Sequence, residues 1–186
     1  KAKYQQVVAT MVQATDDWIA LCRRCGIRFE HVPGLDTAGA ADTYQPFLAD
    51  DRIRFVVVYS AMDNDSNAPI AFAFFPNQPV RDRALVIGPQ YFELAGTIFT
   101  PRGVLRHELG HILGYRHEHI RDGVQGCVFE DKAWRPLTDY DPNSVMHYPC
   151  GPASARGDLV FTETDREGHV RQYGEIPVAL RAPAKK

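Results

Sequence analysis

The order of elements in this sequence predicts an α+β or α/β layout: one sheet on two helices, then an irregular half. Three observations carry that expectation. Apolar residues recur at helical spacing near the start of the chain. Short β-rich runs follow, bounded by Pro, Gly, Asp and Asn clusters. Beyond a second helical stretch, Tyr115 to Thr162 has little periodicity and many turn residues, so it reads as mostly loops.

The first helix is expected over roughly Gln5 to Cys25. Val7, Val8, Met11, Val12, Thr15, Trp18, Ile19 and Cys22 share one face, and Gly26 suits a C-terminal cap. Trp18 and the Met/Val stripe read as core. Strand-like segments follow at Ile27 to Val32, Ile53 to Tyr59, Ile70 to Phe75 and Ala84 to Ile87. A second helix should start with Thr100 as N-cap and Pro101 at its first position, and reach Leu113 or Gly114. Thr164 and Glu167 suggest a capping box for a last helix ending near Gly174. Pro177 to Lys186 reads as a weakly ordered tail, leaving residues 1–186 as one domain.

Bulk properties narrow the function. The 186 residues suit a single domain with a real core, and 45% are hydrophobic. The 21 basic and 23 acidic residues nearly cancel to a formal charge of -2. Such a balance provides neither a field for nucleic acid nor a polybasic stretch for an anionic membrane. Apolar runs such as Arg54 to Tyr59 fall far short of the roughly 18 residues that span a bilayer. The first residues lack the apolar segment of a signal peptide. Cys22, Cys25, Cys127 and Cys150 form an even set, which permits two disulfides and suggests an oxidising compartment.

The chemistry concentrates between His107 and His117, in the order His-Glu-Leu-Gly-His-Ile-Leu-Gly-Tyr-Arg-His. Residues four apart on a helix lie one turn above each other, so His107 and His111 address one point. Glu108 can approach a metal-activated water without being a ligand. A third ligand six residues after His111 cannot come from the same straight helix. Gly114 tolerates positive φ, ends the helix and lets His117 turn back. Three neutral imidazoles leave zinc one open position, the mark of a catalytic site. A bare H-E-x-x-H arises by chance in unrelated helices; the extended form with its glycine is far more specific.

This motif resembles that of the metzincin metalloproteases, and Ser144-Val-Met-His-Tyr148 is similar to their methionine turn in its astacin form. His117-Glu-His-Ile-Arg-Asp122 also resembles the astacin continuation of the third histidine. The resemblance implies an α+β metzincin-like fold: a mostly parallel twisted sheet with an antiparallel edge strand, above a loop-rich half. The halves would divide at about residues 117 and 118, with the metal in the cleft between them. It implies one catalytic zinc on His107, His111 and His117, with Glu108 as general base. Met146 would lie beneath the metal without binding it, and Tyr148 would be a switchable ligand or oxyanion donor. Ile70, Ala71, Phe72, Ala73 and Phe74 are similar to the edge strand that takes an extended substrate. Expected, then, is a secreted, monomeric endopeptidase acting on protein or peptide, with neither nucleic acid nor membrane insertion. An amidase or deacetylase acting on a non-protein amide, or a binding module on a retired protease fold, are the rival readings. The four cysteines do not map onto the usual astacin pairings, so the resemblance is to astacin-like metzincins.

Weaker signals complete the reading. Asp63-Asn-Asp-Ser-Asn67 copies half a calcium loop, but Ala68 stands where glycine belongs and Phe74 where an acid belongs. A polar turn without calcium is expected. Cys22 and Cys25 suit a local disulfide or two half-buried thiols, and Cys127 a bridge to Cys150. His119 is expected to face solvent and His147 to support the methionine turn. Asp139, Asp141 and Asn143 read as turn residues leading into it.

Overall fold

A computed structural model describes residues 1–36, 44–61, 68–121, 133–148 and 157–174. Helix α1 spans Ala2–Leu21 and presents Ala14 and Trp18 as its buried residues. Cys22 leaves helical geometry, a 3-10 turn occupies Arg23–Cys25, and Gly26 caps that turn at φ 72. The first helix thus starts and ends earlier than its apolar stripe suggests. A Cys22–Cys25 disulfide closes the turn.

Three strands form the sheet, in the order β1-β3-β2: β1 Val56–Tyr59, β2 Ala71–Ala73 and β3 Ala84–Ile87. β3 is central, with all four residues buried, and pairs in parallel with β1 and antiparallel with β2. Val56 sits opposite Ala84, and Ala71 opposite Ile87. The mixed sheet with an antiparallel edge is the arrangement expected. Ile27 to Val32 is a correction: it keeps a partly alternating burial pattern but forms no strand among the described residues. Alternation records one face against the core; a ladder also needs a neighbouring strand.

Helix α2, Pro101–Ile112, packs against α1 and β2. Thr100 is its N-cap, with Oγ1 accepting the Gly103 N–H at 3.0 Å. Its C-terminus closes as a Schellman motif: Gly114 N–H donates to the His111 carbonyl at 2.8 Å and Tyr115 N–H to that of Gly110 at 2.9 Å. Gly114 sits at φ 90, which a side chain would resist. Asp17 of α1 receives Arg102 and Arg106 of α2, pinning the helices at their polar rim. Between them and the sheet lies one core built on Trp18, Leu85, Ile87, Leu105 and Leu109, and Val145 and Met146 from the irregular half complete it.

Helix α3, Glu163–Tyr173, ends at Gly174 as expected but starts with a different capping box. Thr162 and Asp165 form it, in place of Thr164 and Glu167. Among the described residues no helix is long and apolar enough to cross a membrane. The calcium-like stretch 63–67, Cys127, Cys150 and the tail 177–186 lie outside the described residues.

Candidate metal centre

His107 and His111 sit one turn apart on the buried face of α2, and the turn at Gly114 brings His117 back to meet them. All three are buried and form a cluster able to hold a metal ion. The Nε2 atoms of His107 and His111 lie 3.0 and 3.1 Å from that of His117. What faces what is settled by the opposite nitrogens. His107 Nδ1 lies 2.7 Å from the Val145 carbonyl oxygen, and His111 Nδ1 2.9 Å from that of Tyr115. A carbonyl oxygen only accepts, so each Nδ1 carries the proton and each Nε2 turns a lone pair inward. Burial, then the neighbouring His111 and His117, hold the His107 pKa well below its usual value, so protonation does not relieve the crowding. Lone pairs converging on one point fit a cation, and the outward N–H bonds are those that orient metal-binding histidines.

Glu108 is buried beside this cluster. The Ala73 N–H bonds one carboxylate oxygen, while Oε2 has no hydrogen-bond partner among the described residues. Burial pushes this carboxyl up to about 8, opposed by the Ala73 bond. A positive charge among the imidazoles would draw it down again. Ala73 belongs to edge strand β2, whose register explains the contact. Gly88 N–H bonds the Ile70 carbonyl, so the backbone groups of Ala71 and Ala73 point away from β3. Ala71 and Phe74 are buried, and the Phe72 side chain is exposed.

From the irregular half, the Tyr148 ring lies 4.0 Å from the His117 ring and stacks on His107 at 5.5 Å, centroid to centroid. Met146 lies under α2 at Gly110, where an added Cβ would come within 2.3 Å of its sulfur. Any side chain at Gly110 would displace Met146, so this glycine sets how closely the turn approaches.

The comparisons with known proteins agree with this geometry. No family model matches the chain. It is 33% identical over 79 residues to zinc metalloproteinase nas-3 of Caenorhabditis elegans, covering 37% of the chain and 27% of that protein. It is 30% identical over 132 residues to the astacin-like metalloendopeptidase of Mus musculus, covering 62% and 29%. The chain is related to the astacin-like zinc metalloproteinases. It spans less than a third of the length of these curated relatives. In fold it matches the solved structure of myroilysin over 91% of this chain and 87% of that one, with a TM-score of 0.55 and 14% identity.

Against the astacin-like pattern, several residues take positions the sequence did not foretell. His119 is a correction: it is only 2% exposed and stacks on His117 and Tyr148. The 3-10 turn Glu118–Arg121 carries it inward. Glu118 receives Arg121 at 2.8 Å and the Asp141 N–H at 3.1 Å, and its own N–H donates to the Met146 carbonyl. His147 is buried; its Nδ1–H donates to the Tyr148 carbonyl, and its Nε2 accepts the Tyr140 hydroxyl at 2.8 Å. Asn143 and Ser144 N–H groups bond Asp141, as in an Asx turn.

Sequence reasoning missed Asp165 altogether. Its carboxylate accepts Ser144 Oγ at 2.6 Å, Val145 N–H at 2.9 Å and Thr162 N–H at 2.9 Å. One side chain thus caps α3 and holds the turn whose Val145 carbonyl orients His107. The only trace in the sequence was a second, overlapping capping pattern, Thr162-Glu-Thr-Asp165.

Proposed function

We propose that this chain is the catalytic domain of a zinc-dependent endopeptidase, hydrolysing internal peptide bonds with one zinc on His107, His111 and His117. The observation that carries the reading is the convergence of three Nε2 atoms, two of them with lone pairs turned inward by Nδ1–H bonds, beside a buried carboxylate. Zinc bound there supplies a Lewis acid for the scissile carbonyl and makes water acidic near neutral pH. Glu108 takes the proton of the attacking water and passes it to the departing amine. The Ala73 bond holds one of its oxygens and leaves the other to do this. Tyr148, against the rings of His117 and His107, suits a hydroxyl donated to the oxyanion as the carbonyl becomes tetrahedral.

An extended peptide is the substrate, adding a strand to β2 through the outward backbone groups of Ala71 and the Ala73 carbonyl, the Ala73 N–H being held by Glu108. Specificity then lies in the pockets beside that strand. The Cys22–Cys25 bridge supports an extracellular, oxidising setting for this enzyme. A cleavage profile on a peptide library, with and without a chelator, tests the whole reading. Internal cuts that vanish with the chelator and return with zinc are expected. No cleavage of any peptide, with zinc bound, would instead support the amidase reading or the retired-protease reading.

A further inference from the structure

Outside the metal centre, α3 buries a histidine that packs against three aromatic rings. His169 is 1% exposed, with ring centroids 5.1 Å from Trp18, 5.3 Å from Tyr173 and 6.0 Å from Tyr115. Its Nδ1 is 2.7 Å from the Tyr115 hydroxyl, and its Nε2 has no partner among the described residues. An apolar side chain would fill this space without leaving a buried nitrogen unsatisfied, a cost of about 1–3 kcal/mol. The bond to Tyr115 is therefore what the imidazole specifically contributes.

Tyr115 is the residue whose carbonyl orients His111. Its N–H is fixed by the Gly110 carbonyl at the end of α2, and its carbonyl accepts His111 Nδ1–H at 2.9 Å. Its ring stacks on Trp18 at 5.4 Å, and its hydroxyl meets His169. Asp165 and His169 stand four residues apart, one turn above each other on the buried face of α3. Asp165 reaches His107 through Val145, while His169 reaches His111 through Tyr115.

We infer that His169 is a positioning residue for the metal centre, fixing through the Tyr115 hydroxyl the carbonyl that orients His111. One face of α3 thereby sets two of the three imidazoles. Burial holds the His169 pKa down to about 4, so the ring is neutral at working pH and available for this bond. The inference rests on the zinc reading above.

Zinc affinity of the whole chain, measured by competition with a chromogenic chelator, tests it without recourse to activity. His169→Leu is expected to weaken zinc by about tenfold, at the low end of losses seen when partners of metal-binding histidines are removed. His169→Asn, whose amide can occupy the Nδ1 position, should recover most of that. Tyr115→Phe keeps the ring and removes only the hydroxyl, so it should weaken zinc in the same direction. The double variant should lose less than the sum of the two. Wild-type zinc affinity in His169→Leu or in Tyr115→Phe, whatever the thermal stability, would overturn the inference and leave the zinc reading standing. A wild-type chain that takes up no zinc would overturn both.

Discussion

The two halves of this molecule position their functional groups by different physics. His107, Glu108 and His111 stand on α2, held by helix periodicity, a threonine cap, a Schellman turn and apolar packing. Met146 and Tyr148 stand on a stretch without strand or helix, held by side-chain oxygens bonding backbone N–H groups. In the regular half the backbone satisfies itself and side chains are left for chemistry. In the irregular half partly buried carboxylates such as Asp165 and Glu118 take the place of ladders.

That contrast is most sharply broken at Asp165. Asp165→Ala leaves Ser144, Val145 and Thr162 donors without their acceptor in a partly buried site. Urea denaturation should show a loss of about 3–5 kcal/mol, since each orphaned donor costs about 1–3 and losses are not additive. A loss below about 1 kcal/mol, within the range of an ordinary hydrogen bond, would mean the turn is held by packing instead.

Tyr148→Phe probes the same half through rate rather than stability. Removing one oxyanion donor should lower kcat by roughly 10²-fold, with KM and zinc content little changed. A variant within about threefold of wild type in kcat would retire the hydroxyl from the mechanism.

At the seam between the halves, Gly110→Ala gains helix propensity of up to about 1 kcal/mol but drives a Cβ toward the Met146 sulfur. Overpacking of about 1–3 kcal/mol should outweigh that gain, so the melting temperature should fall. A higher melting temperature would show that Met146 moves aside and that the turn is not seated on this glycine.

The same contrast explains what the sequence could disclose. His107, His111, Thr100 and Gly114 were legible because helix geometry ties spacing to direction and because cap chemistry is local. The antiparallel edge strand was expected from resemblance, and β3 was found residue for residue from its continuous apolar run. His119 was misplaced because a 3-10 turn has no apolar period to read, yet it turns that imidazole inward. Two overlapping patterns, Thr162 with Asp165 and Thr164 with Glu167, competed for the start of α3. Tertiary demand decided it, since Asp165 must also serve Ser144 and Val145. His169 and Gly110 act only through contacts distant in the chain, so no local rule could single them out.

The central claim is that the three imidazoles hold zinc while Glu108 moves protons without binding it. Zinc content and peptide turnover measured together on Glu108→Ala and His111→Ala test this most directly. Glu108→Ala is expected to keep about one zinc per chain, the catalytic ion, with turnover nearly abolished, and His111→Ala to lose both. Substantial turnover in Glu108→Ala, or full zinc retention in His111→Ala, would contradict the account.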